Sequence, residues 1–154
     1  ELHTNISIKK KNNNNITNKK NLNQALIELK SLFEENNQDR DIIHMLIENF
    51  IINGKNHKNF VENVKSDYLF LDINFITLSD KLIQKFDQIL EKYQIKVKQF
   101  ISGRYLKKLT SENDIEISLM AHKMRHGYNL NEIEIVPKIK SNKGFFEKFF
   151  QLFS

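Results

Sequence analysis

The chain has no cysteine among its 154 residues. Disulfides and thiolate metal sites are therefore excluded, and the composition suits a reducing compartment. Its four glycines, Gly54, Gly103, Gly127 and Gly144, stand far apart. Neither a P-loop nor a G-x-G-x-x-G turn is present, since both need clustered glycines. No apolar run approaches the ~20 residues that span a bilayer. No charged segment followed by an apolar one opens the chain as a signal peptide would. The first residue is Glu1 rather than Met, so a fragment or a processed product is expected. One proline, Pro137, marks the start of a tail.

What remains is enough for one domain with a core of its own. The net charge of +5 is unevenly placed. Residues 1–20 hold five Lys and one Glu, and residues 138–154 hold four Lys and one Glu. The body, 21–137, keeps fifteen basic and seventeen acidic residues and is slightly acidic. A nucleic-acid-binding domain carries its positive charge on a folded face. Here the excess lies in the tails, and no nucleic-acid partner is expected.

Hydrophobic periodicity divides the chain. Ile6 and Ile8 alternate with polar residues, as in a short strand, and residues 11–20 read as a polar low-complexity loop. Leu22, Ala25, Leu26, Leu29, Leu32 and Phe33 recur at helical spacing, predicting a helix over 21–36 with Asn21 as its cap. Ile42 to Ile52 reads as a strand with Asn53-Gly54 as its turn, and residues 54–66 form a polar connection. Tyr68 to Leu78 reads as a second strand, antiparallel to the first, with Leu69, Leu71, Ile73 and Phe75 on one face. Ser79 caps a helix over 80–94, whose stripe is Leu82, Ile83, Phe86, Ile89, Leu90 and Tyr93. Ile95 to Ile101 reads as a strand closed by Gly103. Short helices near 104–109 and 113–126, the latter stopped by Gly127, precede a strand over Ile133–Val136. Both main helices have one apolar stripe that needs a sheet to cover. The expectation is an α+β fold, a small antiparallel or mixed sheet with two main helices on one face. Residues 1–20 are a strand and loop, 21–136 the domain (113–136 unassigned in role), and 137–154 a basic linker and helix.

Groups that could carry chemistry do not converge in the sequence. His122 and His126 have the i, i+4 spacing of metal ligands, but no H-E-x-x-H pattern or third ligand accompanies them. Asp67, Asp72 and Asp80 gather near a strand-to-helix junction, where Asp80 complements the helix dipole. Ser79 reads as a cap, and His44 as a satisfied strand residue. No enzymatic activity, cofactor or metal is expected.

The last eleven residues hold five of the twelve Phe. On a helix, Phe145, Phe146, Phe149, Phe150, Leu152 and Phe153 fill one arc, and Glu147, Lys148, Gln151 and Ser154 fill the other. Lys138, Lys140 and Lys143 lead into it. This pattern fits a helix lying in a membrane interface. The membrane-binding residues expected are Lys140, Lys143, Phe145, Phe146, Lys148, Phe149, Phe150, Leu152 and Phe153, against an anionic membrane surface.

Four segments resemble the bacterial actin-like division protein FtsA. Asp39 to Gly54, with Ile42-Ile43-His44, is similar to that family's I-I-H-V-I-P-Q segment before a D-G turn. Phe70 to Ser79 resembles the next strand, ending V-H-I-V-T-x-S; Tyr93 to Val97 resembles G-L-x-V; and Tyr105 to Glu112 resembles A-S-A-x-A-V-L-T-x-D/E. The resemblance covers roughly residues 21–112, the SHS2 subdomain, together with the C-terminal amphipathic membrane-targeting helix. It implies a cell-division adaptor, cytoplasmic and peripheral on the inner face of the cell membrane. The FtsZ system would be its partner, and self-association is also expected. Leu46-Ile47-Glu48 replaces I-P-Q, and the family's D-I-G-G-G-T-T is absent. ATP binding and the FtsZ-tail site therefore do not transfer. Two other readings fit the residues: a soluble interaction module whose Phe-rich helix docks on a protein partner, and a nucleic-acid-associated domain using the Lys/Asn tails.

Overall fold

A computed structural model describes residues 1–113 and 115–133. Among them are five strands and four helices: β1 Leu2–Ile16, α1 Lys19–Asn36, β2 Arg40–Ile52, β3 Lys55–His57, β4 Lys65–Ser79, α2 Asp80–Glu91, α3 Gly103–Asn113, α4 Ile117–Met124 and β5 Glu132–Ile133. The strands form one antiparallel sheet in the order β1-β4-β2-β3, with β5 also on β2. The fold is thus α+β. The expected C-terminal helix, and residues 134–136 of the last expected strand, lie outside the described residues.

β4 is the central strand. Its Leu69, Leu71, Ile73 and Phe75 are buried on one face, as the alternation predicts. Partners in register with them put Ile6 and Ile8 of β1, and Met45, Ile47, Phe50 and Ile52 of β2, on the same face. α1 covers this face with Leu22, Leu26, Leu29 and Phe33, and the Phe33 ring stacks on Phe75 at 4.1 Å. Leu32, expected on the stripe, is exposed instead. The helix also starts earlier than expected: Asn18 is the cap, its side chain accepting from the Asn21 N–H at 2.8 Å.

The stretch expected as a loop over 11–20 is largely strand. β1 runs on to Ile16 beside β4, with a bulge between Lys11 and Asn15. Asn13 takes the left-handed conformation that Asn tolerates, φ 51°. The buried Asn12 amide replaces the broken ladder, donating to the Asn15 carbonyl at 2.5 Å and the Ser66 carbonyl at 3.1 Å. Asn53-Gly54, with φ of 52° and 74°, joins β2 to β3 in a two-residue hairpin.

The other face corrects the expected placement of helices on one face. Ile43 and Leu46 of β2 and Ile76 of β4 point away from α1 and need cover of their own. α3 and α4 supply it through Tyr105, Leu106, Met120 and Met124. α2, expected to share α1's face, buries none of its residues. The expected strand over 95–101 does not form; those residues are irregular. On the outer edge of β2, β3 pairs with Phe50–Ile52 and β5 with Met45 and Leu46. α3 is longer than expected, and the turn after α4 closes at Gly127, φ 74°, whose N–H reaches the Met124 carbonyl at 3.1 Å.

Phe75 is fully buried beneath Phe33. Phe75→Ala is expected to cost about 3–5 kcal/mol of unfolding free energy, read from denaturant titration.

Candidate interaction surface

The polar residues flagged in the sequence do not come together. His44, on β2, is only 1% exposed. The Ser102 backbone N–H donates to its Nε2 at 2.9 Å. That nitrogen must then be the unprotonated acceptor, so Nδ1 carries the hydrogen and donates to Glu132 Oε1 at 2.6 Å. The Tyr105 hydroxyl donates to the second oxygen of Glu132 at 3.2 Å and accepts from the Asn129 amide at 2.7 Å. Ser102 Oγ accepts from the Tyr105 N–H at 3.1 Å at the start of α3. This node ties β2, α3 and β5 together. Both His44 nitrogens are engaged within it, so neither faces a substrate.

The Asp residues are dispersed. Asp72 accepts from Ser7 at 2.6 Å and from Asn49 at 3.2 Å on the open part of the second face. Asp80 begins α2, where the helix dipole favours its charge; its Oδ1 is buried with no hydrogen-bond partner. Asp67 is exposed near the start of β4. Ser79 is the α2 cap, accepting from the Leu82 N–H at 3.4 Å. The His122 and His126 rings lie 4.5 Å apart, and no group of three candidate ligands occurs among the described residues. Lys140, Lys143, Phe145, Phe146, Lys148, Phe149, Phe150, Leu152 and Phe153 lie outside the described residues.

α2 is the surface that sequence reasoning misplaced. Its helical spacing and cap are as expected, but the sheet does not cover it. Leu82 is 37% exposed, Phe86 44% and Ile89 45%. Past the helix end, where the chain turns at Gln94 (φ 58°), Tyr93 and Ile95 are also exposed. Phe100 approaches one side of Phe86, ring centroids 6.1 Å apart, and Ile83 and Leu90 are half-buried. The charged residues are sorted around the axis. At about 100° per residue, Lys81, Lys85 and Lys92 fall together on the shoulder beside Ile89 and Leu82. Asp80, Asp87 and Glu91 fall opposite the exposed stripe. Among the described residues no helix is long and apolar enough to cross a membrane.

Burial raises the Tyr105 hydroxyl pKa well above the ordinary phenol range, and the Glu132 carboxylate beside it pushes the same way, while the Asn129 hydrogen bond opposes. A raised folded-state pKa contributes stability that is complete below the unfolded value and lost as pH rises above it. Denaturation midpoints should therefore fall as pH passes about 10, and the component due to Tyr105 should vanish in Tyr105→Phe. Because their side chains meet solvent, Leu82→Ala and Ile89→Ala should each change stability by less than about 0.5 kcal/mol, measured the same way.

Comparison with protein-family models, with curated proteins and with solved structures finds no match.

Proposed function

We propose that this chain is a non-enzymatic adaptor of the FtsA kind, whose folded body makes protein contacts while its C-terminal segment holds it to an anionic membrane surface. The observation that carries the reading is the unbroken separation of residues 144–154 into an apolar arc of five Phe and Leu152 and a polar arc. β1, α1, β2, β4 and α2 follow one another as the SHS2-like reading requires, with β3 between β2 and β4, while the strand that the reading needs after α2 does not form. α2 adds an apolar surface left free by the body itself.

The energetics make attachment weak for one copy. Partial insertion of six apolar side chains contributes on the order of 5 kcal/mol. Lys140, Lys143 and Lys148 add about 1 kcal/mol each near anionic lipid. Ordering the tail opposes both. Copies held side by side raise the binding by avidity without any new contact. Stable attachment then depends on self-assembly, or on capture by a polymeric partner such as the FtsZ system that the resemblance implies.

Flotation of the full chain with phosphatidylcholine–phosphatidylglycerol vesicles tests the proposal. Wild type should float, and more so at higher protein concentration. Phe146→Asp/Phe149→Asp should stay at the bottom of the gradient. A wild type that never floats, over a wide concentration range, would remove the membrane reading. Binding to nucleic acid that survives the double substitution and weakens steeply with salt would replace it.

A further inference from the structure

We infer that α2 is a second lipid-facing element, lying along an anionic membrane surface with Leu82, Phe86 and Ile89 inserted. The inference deepens the membrane reading and rests on it for the location of the chain, but its evidence is separate: it comes from the folded body and uses no residue of the tail.

Three observations carry it. α2 is a capped helix of twelve residues with none of them fully buried; the body meets Ile83, Leu90 and one side of Phe86, and leaves Leu82, Ile89 and the rest of Phe86 open. Leu82, Phe86 and Ile89 line up along one side of the helix axis, and this suits an extended, flat partner. The charges are arranged for a negative one. Lys81, Lys85 and Lys92 flank the stripe on one shoulder, where long side chains lie along an apolar surface while their ammonium groups reach headgroup phosphates. Asp80, Asp87 and Glu91 occupy the opposite side and would face away from the lipid. Lys96 and Lys98, in the irregular segment after the helix, are also exposed. With the tail as one point of attachment, α2 supplies another, and the first contact raises the effective concentration of the second.

Exposed positions allow a test that leaves the fold intact, and circular dichroism checks that it does. Leu82→Asp/Phe86→Asp in the full chain should lower partition onto phosphatidylcholine–phosphatidylglycerol vesicles about tenfold or more. Lys81→Gln and Lys85→Gln should each lower it about fivefold on those vesicles and leave binding to pure phosphatidylcholine unchanged. The chain has no Trp, so Phe86→Trp provides a single reporter. Its emission should shift to the blue when vesicles are added. An unshifted emission, or an α2 double variant that floats like wild type, would overturn the inference while leaving the tail anchor standing. Loss of flotation in Phe146→Asp/Phe149→Asp alone has that same meaning. Flotation that survives the tail substitutions but not those in α2 would support α2 and sink the tail anchor. A blue shift that grows with protein concentration without vesicles would assign the stripe to a second copy. Stronger binding by the α2 variant would assign it to the chain's own C-terminal segment. Either result overturns a lipid-facing α2.

Discussion

The rest of the structure depends on β4 lying between β1 and β2. Its backbone is paired on both sides from Leu69 to Thr77, so the side chains there have only the two sheet faces open to them. One face is apolar along most of the strand, and α1 covers it. The other is mixed: Ile76 at one end needs an apolar cover, while Asp72 and Asn74 in the middle hydrogen-bond to neighbouring strands. α3 and α4 therefore cover only part of that face. The long antiparallel register with β1 also explains why a run of asparagines becomes strand. The backbone groups of residues 65 and 66 need partners, and Asn15, Ile16 and the Asn12 amide supply them.

α1 and α2 look alike in sequence yet meet different fates. Each has a side-chain oxygen cap and an apolar stripe at helical spacing. α1 enters after β1 and leaves into β2, two strands that flank β4, and this lays it across the sheet. α2 follows directly from β4 at Ser79. By then α1 occupies one face and the following helices occupy the apolar end of the other. The result is a helix whose first turn is held through the Asp80 N–H to the Asp39 carbonyl at 2.9 Å, with Leu82, Phe86 and Ile89 exposed to solvent. A stripe of that size, left uncovered and flanked by lysines, is the reason for assigning α2 to a surface outside the domain.

The polar node has the opposite character. Groups that could do proton chemistry, His44, Tyr105 and Glu132, are spent on one another and on the backbone. The Ser102 N–H and the Glu132 carboxylate together dictate the tautomer of His44. Such a node joins segments far apart in the chain: His44 is 58 residues from Ser102 and 88 from Glu132. Its function is to anchor the chain after α4 against β2, where β5 pairs with Met45 and Leu46.

Local patterns were legible in the chain alone. The α1 stripe apart from Leu32, the alternation of β4, the Asn53-Gly54 turn, the Ser79 cap and the stop at Gly127 all follow from the conformational preferences of neighbouring residues. Such preferences act over a few residues and need no partner. Where the outcome depended on a distant partner, the pattern was silent or misleading. Ile95 to Ile101 has strand composition, yet it pairs with no strand; the segment leads instead to Ser102, whose N–H is held by His44 at the start of α3. Asn12 to Asn15 has loop composition, but Ser66 draws it into the sheet. The α2 stripe reads as core because helical spacing records only that a face is apolar. Whether that face meets the sheet or the solvent is decided by which surfaces other elements have already filled, and that competition exists only in three dimensions.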